Sequence, residues 1–414
     1  AEVPGDDAAH PLRLLRSHAG STGPVASAAA ARAMLVVRLN QLGAGGGWVS
    51  ETLIDGVEAA LNAGLAPRVH ELGSVGTGDL TALAEAGLSL RGENPWIGDG
   101  PPPPPVTFAP GDALAWMSSA ALTLGEAVLA CSDVWTLLQS AETVAVLALI
   151  GVRGDHQSLD PRVQQARPHP GQVAAAAHLR SLLHGAEQPS TRLQDSFAFR
   201  CLPQVHGAAR DVLAGVRAVL DVELNAAAEN PLLTDGPAAL HNGNFLMTHL
   251  ALAVDQLRAA LLQVGMSAVR QLAGLLDPDM TGLPAFLAAP APASSGLMVL
   301  EYTAQSALAE LRADAYPVNL AAAHASRGVE DLASFADLSV RQLVRSHESL
   351  AVILAATLVA ATRAVRLHGG IRGQAAVDRS YQLACDTLSP DIDDRPLSDD
   401  IAAAERLVTD QPLG

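Results

Sequence analysis

Aromatic residues are scarce in this sequence: they make up 3% of its 414 residues, and cysteine occurs only three times. A β-sandwich would need more Val, Ile, Thr and aromatic side chains, whereas alanine and leucine dominate here. Cys131, Cys201 and Cys385 lie far apart, with no CxxC pair and no histidine spacing suited to zinc. These absences argue against a disulfide scaffold and a zinc domain, and they favour free thiols in a reducing compartment such as the cytoplasm.

Positive charge is also scarce. The sequence has 26 Lys and Arg against 43 Asp and Glu, and its net charge of −17 argues against nucleic acid or an anionic membrane as partner. We expect no signal peptide and no transmembrane span, because the most apolar run, residues 350–361, is too short to cross a bilayer. No residue pattern indicates a metal, nucleotide or haem site.

The sequence is rich in apolar residues at helical spacing. This spacing predicts helices at 26–42, 50–62, 80–90, 112–150, 170–183, 206–229, 246–275, 297–316 and 331–368. Five consecutive prolines at 101–105 predict a surface loop over 91–112. Helices this long indicate an all-α fold with an elongated central bundle, and no strand–turn–strand series is evident. Residues 1–110 would form an N-terminal helical part and residues 111–414 the bundle and C-terminal helices, together in one compact unit.

The segment GSVGTGDL at 73–80 places three glycines just before a predicted helix. As a phosphate cradle it lacks the GxGxxG order and a following lysine. Two interpretations stay open. In the first, the glycines form a turn and Asp79 caps the helix that starts at Leu80. In the second, the nitrogen of Gly78 attacks the carbonyl of Gly76, and dehydration of Thr77 leaves an electrophilic alkene.

From this motif outward, the chain resembles the aromatic amino-acid ammonia-lyase and aminomutase family, histidine ammonia-lyase in particular. The similar segments follow the family's order: LLRSHAG at 14–20, RAMLVVRLNQL at 32–42, LNAGLAPRVHELGSVG at 61–76, QDSFAFRCLPQVHGA at 194–208, ELNAAAENPLL at 223–233, NGNF at 242–245, VED at 329–331 and DRPLSDDI at 394–401. The resemblance implies a mainly α-helical, fumarase/aspartase-like fold. It also implies a homotetramer whose active sites combine residues of several subunits.

The same resemblance implies roles for individual residues. Arg200 would bind the substrate carboxylate through its guanidinium fork, Glu330 would take up a proton near the substrate amine, and His18 would lie near the substrate. Each has a structural alternative that stays open: an ion pair with an acidic residue for Arg200, a favourable helix-dipole position for Glu330, and a buried, hydrogen-bonded imidazole for His18.

Further matches complete the implied site. Gln194, Asn230, Asn244 and Phe245 fall on family positions that line the pocket or support the electrophile. For Asn230, which precedes Pro231, a simple turn after a helix is an equally good interpretation.

The sequence also departs from the family pattern. The family's GSVGASGDLAPL, whose Ala-Ser-Gly becomes the methylidene-imidazolone electrophile, is GSVGTGDLTAL here, one residue shorter. Phe197 stands in place of a tyrosine, Ser132 in place of the asparagine of LINGT, and Val329 in place of a glutamine. The family's catalytic tyrosine loop precedes LLRSHA, and since this sequence begins with Ala1 rather than methionine, we expect any such loop to lie upstream of it.

Three hypotheses follow for the function. The first is an enzyme on this scaffold that binds a small amino acid or related carboxylate and performs elimination or addition without the standard methylidene-imidazolone. The second is a conventional histidine or aromatic amino-acid ammonia-lyase, with an electrophile formed from Gly76-Thr77-Gly78. The third is a non-catalytic homologue. The joint loss of the tyrosine hydroxyl, the asparagine and the standard tripeptide favours the first, because such groups act together in catalysis.

Overall fold

The structure is a computed structural model that describes residues 9–187, 190, 192–234, 239–320, 323–410 and 412–413. Helices dominate it, as the composition predicts. The helices are α1 (His10–His18), α2 (Ala28–Gly43), α3 (Glu51–Asn62), α4 (Leu80–Leu90), α5 (Asp112–Met117), α6 (Ala121–Gly151), α7 (Pro161–Gln165), α8 (Pro170–Leu183), α9 (Phe197–Arg200), α10 (Leu202–Glu223), α11 (Thr248–Leu276), α12 (Pro278–Thr281), α13 (Val299–Asp314), α14 (Ala336–Leu367), α15 (Asp378–Thr387) and α16 (Ser398–Thr409).

Short strands pair two by two between these helices, and no pattern in the sequence predicts them. The strands are β1 (Thr22–Val25), β2 (Ala66–Pro67), β3 (His70–Leu72), β4 (Trp96–Ile97), β5 (Leu232–Leu233) and β6 (Ala239–Leu240). The antiparallel pairs are β1–β3, β2–β4 and β5–β6. Segments of two to four residues are too short to produce a readable alternation of apolar and polar side chains.

The predicted helix bounds are confirmed at 80–90 and 170–183 but are wrong in three other places. The helix predicted at 112–150 is broken at residues 118–120, where the Ser119 carbonyl accepts a hydrogen bond of 2.7 Å from the Asp79 N–H. The helix predicted to reach 229 ends at Glu223, because side chains of α2 bind its last carbonyls: Gln41 donates to Glu223 O at 3.0 Å and Asn40 to Leu224 O at 2.6 Å.

The long helix predicted at 331–368 begins later, at Ala336. Phe335 has φ of 52°, in the left-handed region, so it cannot belong to a right-handed helix. Its N–H donates to the Val75 carbonyl at 3.0 Å. A contact distant in sequence therefore fixes where this helix starts.

The chain divides into two compact units. The first comprises residues 1–130, 216–255 and 317–341, and the second comprises 131–215, 256–316 and 342–414. In the first unit, α1, α4 and α5 pack against one another. Trp116 of α5 is fully buried, and its indole N–H donates to the Leu83 carbonyl of α4 at 2.7 Å. This core supports the segment 73–80, which leads directly into α4.

In the second unit, a charged group lies within the apolar helices. Glu142 of α6 is buried and receives two hydrogen bonds from Arg210 of α10, at 2.7 and 2.6 Å. A bidentate arginine is the partner that a buried carboxylate needs to offset its desolvation. The pair therefore links α6 to α10 in a fixed register.

Three segments are long and apolar enough to cross a membrane by length and composition: Asp112–Gly151, Thr248–Leu276 and Ala336–Leu367. The sequence pattern, in contrast, predicts no membrane span. In the first and third segments, 83% of the most apolar window is buried inside the protein, against 50% in the second. Most of this apolar surface thus packs against other protein segments, as in the core helices of a large bundle.

Candidate active site

The glycine motif forms a turn that β-pairing and α4 hold in place. The strand β3 ends one residue before Gly73, and its pairing with β1 brings residues 21 and 73 together, so that a Cβ added to Gly73 would lie 3.0 Å from Ser21 Cβ. Gly76 and Gly78 have φ values of 80° and 109°, which glycine adopts readily and other residues adopt under strain. The glycines are therefore required by the conformation of the backbone.

Two segments distant in sequence bind the carbonyl of Gly76. The Ser334 hydroxyl donates to Gly76 O at 2.8 Å, and the Met247 N–H donates to the same oxygen at 3.2 Å. From within the turn, Ser74 Oγ accepts from Gly76 N and donates to Gly78 O, both at 3.2 Å. The first unit thus holds both ends of Gly76-Thr77-Gly78, while Thr77 is half-buried between them.

The prediction that Asp79 caps α4 is wrong. Asp79 precedes α4, but its side chain makes no capping bond there. Its carboxylate accepts instead from the N–H and hydroxyl of Thr123 in the first turn of α6, at 2.8 and 2.9 Å. Burial raises the pKa of Asp79 to about 6, although both bonds from Thr123 act to lower it. Asp79 therefore caps α6 and joins the glycine turn to that helix.

A small polar cavity beside this cap holds further carboxyl groups. It is lined by His70, Glu71, Ser74, Asp79, Thr81, Ala82, Leu122, Thr123, Glu126, Asp337 and Arg341. Burial, together with the charges of Asp79 and Glu71, raises the pKa of Glu126 to about 8. Among the described residues no group of His, Cys, Asp and Glu is placed to hold a metal ion. We infer that Glu126 is protonated at neutral pH.

We expect Glu126→Gln to remove part of the pH dependence of stability. The pKa of Glu126 is raised from 4.5 to about 8, so the folded state keeps a proton that the unfolded state has already released, and wild-type stability falls as pH rises through this window. Glutamine does not titrate, so the free energy of unfolding of the variant, relative to that of the wild type, should increase by a few kcal/mol between about pH 5 and pH 8.5. Urea unfolding followed by circular dichroism at both pH values measures this gain.

The control is Glu58→Gln, since Glu58 is an exposed glutamate of α3 in the same unit. That variant should keep the wild-type slope of stability against pH. If Glu126→Gln kept the same slope as well, the raised pKa of Glu126 would be wrong.

The predicted residues of the central segment lie in one hydrogen-bond network of the first unit. Asn230 Oδ1 accepts from the Asn242 N–H at 3.1 Å, and Asn242 Oδ1 accepts from the Asn244 N–H at 2.9 Å. Asn244 is exposed and Phe245 half-buried, two residues before the Met247 N–H that binds Gly76. The side chain of Asn230 therefore organises the NGNF segment rather than merely ending a helix, which stops at Glu223.

His18 and Glu330 also belong to the first unit. His18 is the last residue of α1 and is half-buried, with Nδ1 2.9 Å from the Leu14 carbonyl. Because a carbonyl only accepts, this contact assigns the proton of a neutral ring to Nδ1 and the lone pair to Nε2. Glu330 is half-buried and accepts from the Ser326 hydroxyl at 2.7 Å. It lies six residues before α14 begins, so the helix-dipole interpretation of Glu330 is wrong.

The second unit holds Ser132, Gln194, Phe197 and Arg200. The Arg200 guanidinium lies 4.9 Å from the centroid of the Phe197 ring, and its Nη1 donates to Gln194 Oε1 at 2.6 Å. Phe197 is 71% exposed, and the face of its ring lies against the Arg200 cation. It lacks the hydroxyl that the family's tyrosine would carry at this position. No carboxylate of the described residues pairs with Arg200, so the ion-pair interpretation lacks a partner there. Ser132 is exposed on α6.

Sequence reasoning missed several residues that hold the turn, namely Ser74, Met247, Ser334 and the pair of Asp79 with Thr123. Ser334 follows the VED motif by only three residues, which was an available signal. The role of Met247 could not be read from sequence at all, because it acts through its backbone N–H.

The fold and this site define a class of enzyme. Residues 3–384 match the aromatic amino acid lyase family, and the chain belongs to that family of carbon–nitrogen lyases. It is 34% identical over 419 residues to histidine ammonia-lyase of Streptomyces coelicolor, covering 95% of this chain and 81% of the relative. Histidine ammonia-lyase of Symbiobacterium thermophilum is also 34% identical, over 412 residues, with the same shares covered.

Solved structures agree on the fold. Histidine ammonia-lyase from Trypanosoma cruzi superposes with a TM-score of 0.90 at 27% identity, over 98% of this chain and 81% of that one. The ergothioneine-degrading enzyme ergothionase from Treponema denticola superposes with a TM-score of 0.95 at 26% identity, over 100% of this chain and 86% of that one. The predicted all-α ammonia-lyase fold is therefore confirmed.

Proposed function

We propose that this protein eliminates ammonia from histidine or another aromatic amino acid, giving an α,β-unsaturated acid, with an electrophile formed from Gly76-Thr77-Gly78. The observation that carries the proposal is the binding of the Gly76 carbonyl by Ser334 and Met247. The names of the relatives support the same reaction. Of the hypotheses drawn from the sequence, this conventional one gains most support, and the chemistry without the electrophile becomes the second candidate.

The tripeptide has the atoms that the electrophile requires. The nitrogen of Gly78 bonds to the carbonyl carbon of Gly76, and the carbonyl oxygen leaves as water with the protons of the Gly78 and Thr77 amides. Thr77 then loses its hydroxyl and its α-hydrogen as a second water. The resulting alkene, which carries a methyl group because the parent residue is threonine, would supply an electrophile toward the substrate. Both glycines leave room for close approach of the backbone.

The chain's own side chains would bind and deprotonate the substrate. Arg200 is proposed to bind the carboxylate, and its stacking on Phe197 and its bond to Gln194 support this role because they leave further donors of the guanidinium open. Glu330 is proposed to take up a proton, and His18 to contact the substrate through Nε2. Asn230, Asn244 and Phe245 would line the pocket, and Ser132 would do so in place of an asparagine.

Assembly and location complete the proposal. We propose a homotetramer in which several subunits contribute to each active site, as the family resemblance implies. Apolar side chains such as Val222, 67% exposed, and Leu252, 54% exposed, support burial against further copies. Cys131, Cys201 and Cys385 form no disulfide with one another in the described part of the chain, which supports a reducing compartment, the cytoplasm.

A second candidate is elimination on the same scaffold without the electrophile. The absence of the tyrosine hydroxyl at Phe197 and the shortened tripeptide favour it, and the similarity to ergothionase suggests ergothioneine as a substrate to test. Its distinguishing property is turnover by a chain whose residues 76–78 are unmodified.

The test combines mass spectrometry of the peptide that contains residues 73–80 with assays on histidine, phenylalanine, tyrosine and ergothioneine. A peptide two waters lighter than its sequence, with release of ammonia from one of the first three, supports the main proposal. An unmodified peptide in an active enzyme supports the second candidate. Turnover of none of the four by the modified enzyme would contradict the proposed substrates.

Arg200→Ala should lower kcat/KM for the accepted substrate by about 100-fold, the effect of losing a bidentate, charge-assisted pair of hydrogen bonds. Steady-state kinetics measure this change, which should fall largely on KM because the carboxylate is bound before and during the reaction. Arg162→Ala is the matched control, since Arg162 is an exposed arginine that pairs with Asp160. Equal kinetics for Arg200→Ala and wild type would exclude Arg200 as the carboxylate ligand.

A further inference from the structure

The carbonyl oxygen of Gly76 has two hydrogen-bond donors that come from separate segments of the first unit. The Ser334 hydroxyl lies 2.8 Å from this oxygen and the Met247 N–H lies 3.2 Å from it. The neighbouring carbonyl of Val75 accepts from the Phe335 N–H at 3.0 Å. Residues 334 and 335 thus hold two successive carbonyls of the glycine turn.

We propose that the Ser334 hydroxyl and the Met247 N–H form an oxyanion hole for the ring closure of Gly76-Thr77-Gly78. This inference rests on the proposed function, which needs that ring. When the nitrogen of Gly78 bonds to the carbonyl carbon of Gly76, negative charge builds up on the oxygen that these two donors bind. Donors already placed at the oxygen that gains charge accelerate such a step without reorganisation.

Burial makes the donors effective. Ser334 is 3% exposed and Gly76 is also buried, so the two groups interact away from bulk water, where a hydrogen bond to a developing charge is stronger. The oxygen afterwards leaves as water, with the amide protons of Gly78 and Thr77. Ser334 therefore binds an atom that the finished electrophile no longer contains, which separates its role from that of a pocket residue.

Backbone geometry at the same place supports the assignment. Phe335 has φ of 52°, a left-handed conformation that strains a bulky residue, and it lies directly after Ser334. Strained backbone that surrounding contacts maintain is concentrated at functional sites. On the opposite side of the turn, Ser74 Oγ accepts from Gly76 N and donates to Gly78 O, which keeps the two reacting residues close.

The experiment follows dehydration of the peptide that contains residues 73–80 during cell-free translation of the full chain, with samples digested and weighed over time. Ser334→Ala should slow the loss of two waters by about 100-fold, the effect of removing one donor from an oxyanion hole. Ser334→Cys, which is close in size and whose thiol is a weak donor, should be slowed less. Met247 keeps its N–H in both variants.

Ser339→Ala is the matched control, since it removes another buried serine hydroxyl of the first unit, one that donates to Asp255 at 2.6 Å. It should lose the two waters at the wild-type rate. Melting temperatures identify any variant that fails to fold. If Ser334→Ala does not fold, the dehydration rate of Ser334→Cys tests the proposal in its place.

The two proposals fail in different ways. Dehydration of Ser334→Ala and Ser334→Cys at the wild-type rate would overturn the oxyanion hole and leave the proposed electrophile intact. A wild-type peptide that never loses water would overturn both. Slow dehydration in Ser339→Ala, equal to that in Ser334→Ala, would show a general effect of removing a buried hydroxyl and would also overturn the inference.

Discussion

Gly76→Ala should destabilise the protein and abolish dehydration of the glycine turn. A Cβ at this position would lie 2.2 Å from Ser334 Oγ, 2.7 Å from Phe335 N and 2.8 Å from Ala336 N. Two of these atoms are backbone, so the neighbouring segment must move as a whole. The φ of 80° adds strain of about 1–3 kcal/mol to an overpacking cost of similar size.

This expectation runs against the family motif. Alanine at position 76 would give Ala-Thr-Gly, which is closer in composition to the family's Ala-Ser-Gly than the natural Gly-Thr-Gly. In this chain, however, only a hydrogen atom fits at position 76 beside Ser334. We therefore expect Gly76→Ala to abolish dehydration, although it makes the tripeptide more similar in composition to the family's Ala-Ser-Gly.

Comparison with Gly78→Ala separates steric conflict from backbone strain, because both glycines have a positive φ but only a Cβ at Gly76 would clash with its neighbours. Gly78 has φ of 109°, but a Cβ there would meet only the Ser119 carbonyl oxygen, at 3.5 Å, and carbon, at 3.9 Å, which is ordinary contact. We expect Gly78→Ala to lower the melting temperature clearly less than Gly76→Ala. Thermal unfolding and the mass of the peptide containing residues 73–80 measure both effects. Equal losses in the two variants would mean that the contact with residues 334–336 has no special importance.

Much of the fold was readable from the sequence because apolar spacing reports on burial. The bounds of α4 and α8 follow from periodicity and from glycine or proline at their ends. The errors share a cause. The ends of α10 and α14 and the break before α6 are set by hydrogen bonds from residues far away in sequence, such as Gln41, Val75 and Asp79. Local patterns cannot report such contacts.

The candidate site shows the same limit. Resemblance to the family identified Arg200, Glu330 and Asn230 as candidate residues, but it could not state their surroundings. Arg200 pairs with no acidic residue in the described part of the chain, which argues against a structural ion pair. The helix α14 starts six residues after Glu330, which excludes a helix-dipole role for this carboxylate. Asp79 was expected to cap the helix that follows it, yet its carboxylate turns to Thr123, because the first turn of α6 offers donors that are also buried.

Glu229→Leu should be strongly destabilising. Glu229 is 1% exposed and accepts from Arg38 at 2.9 Å, and Arg38 is fully buried. Arg38 also donates to the carbonyls of Trp116, at 3.0 Å, and Ala115. Burial already lowers the pKa of Arg38, and Glu229 opposes this effect. Removing the carboxylate leaves a buried guanidinium without its counter-charge, at a cost of about 3–5 kcal/mol.

The double variant Arg38→Met/Glu229→Leu should recover a large part of that loss, since replacing both ions with apolar groups is often neutral. Glu93→Gln is the control, because the exposed pair of Arg16 and Glu93 should contribute less than about 1 kcal/mol. Urea unfolding at neutral pH measures all three, and a loss for Glu229→Leu no larger than the control's would contradict the buried pair.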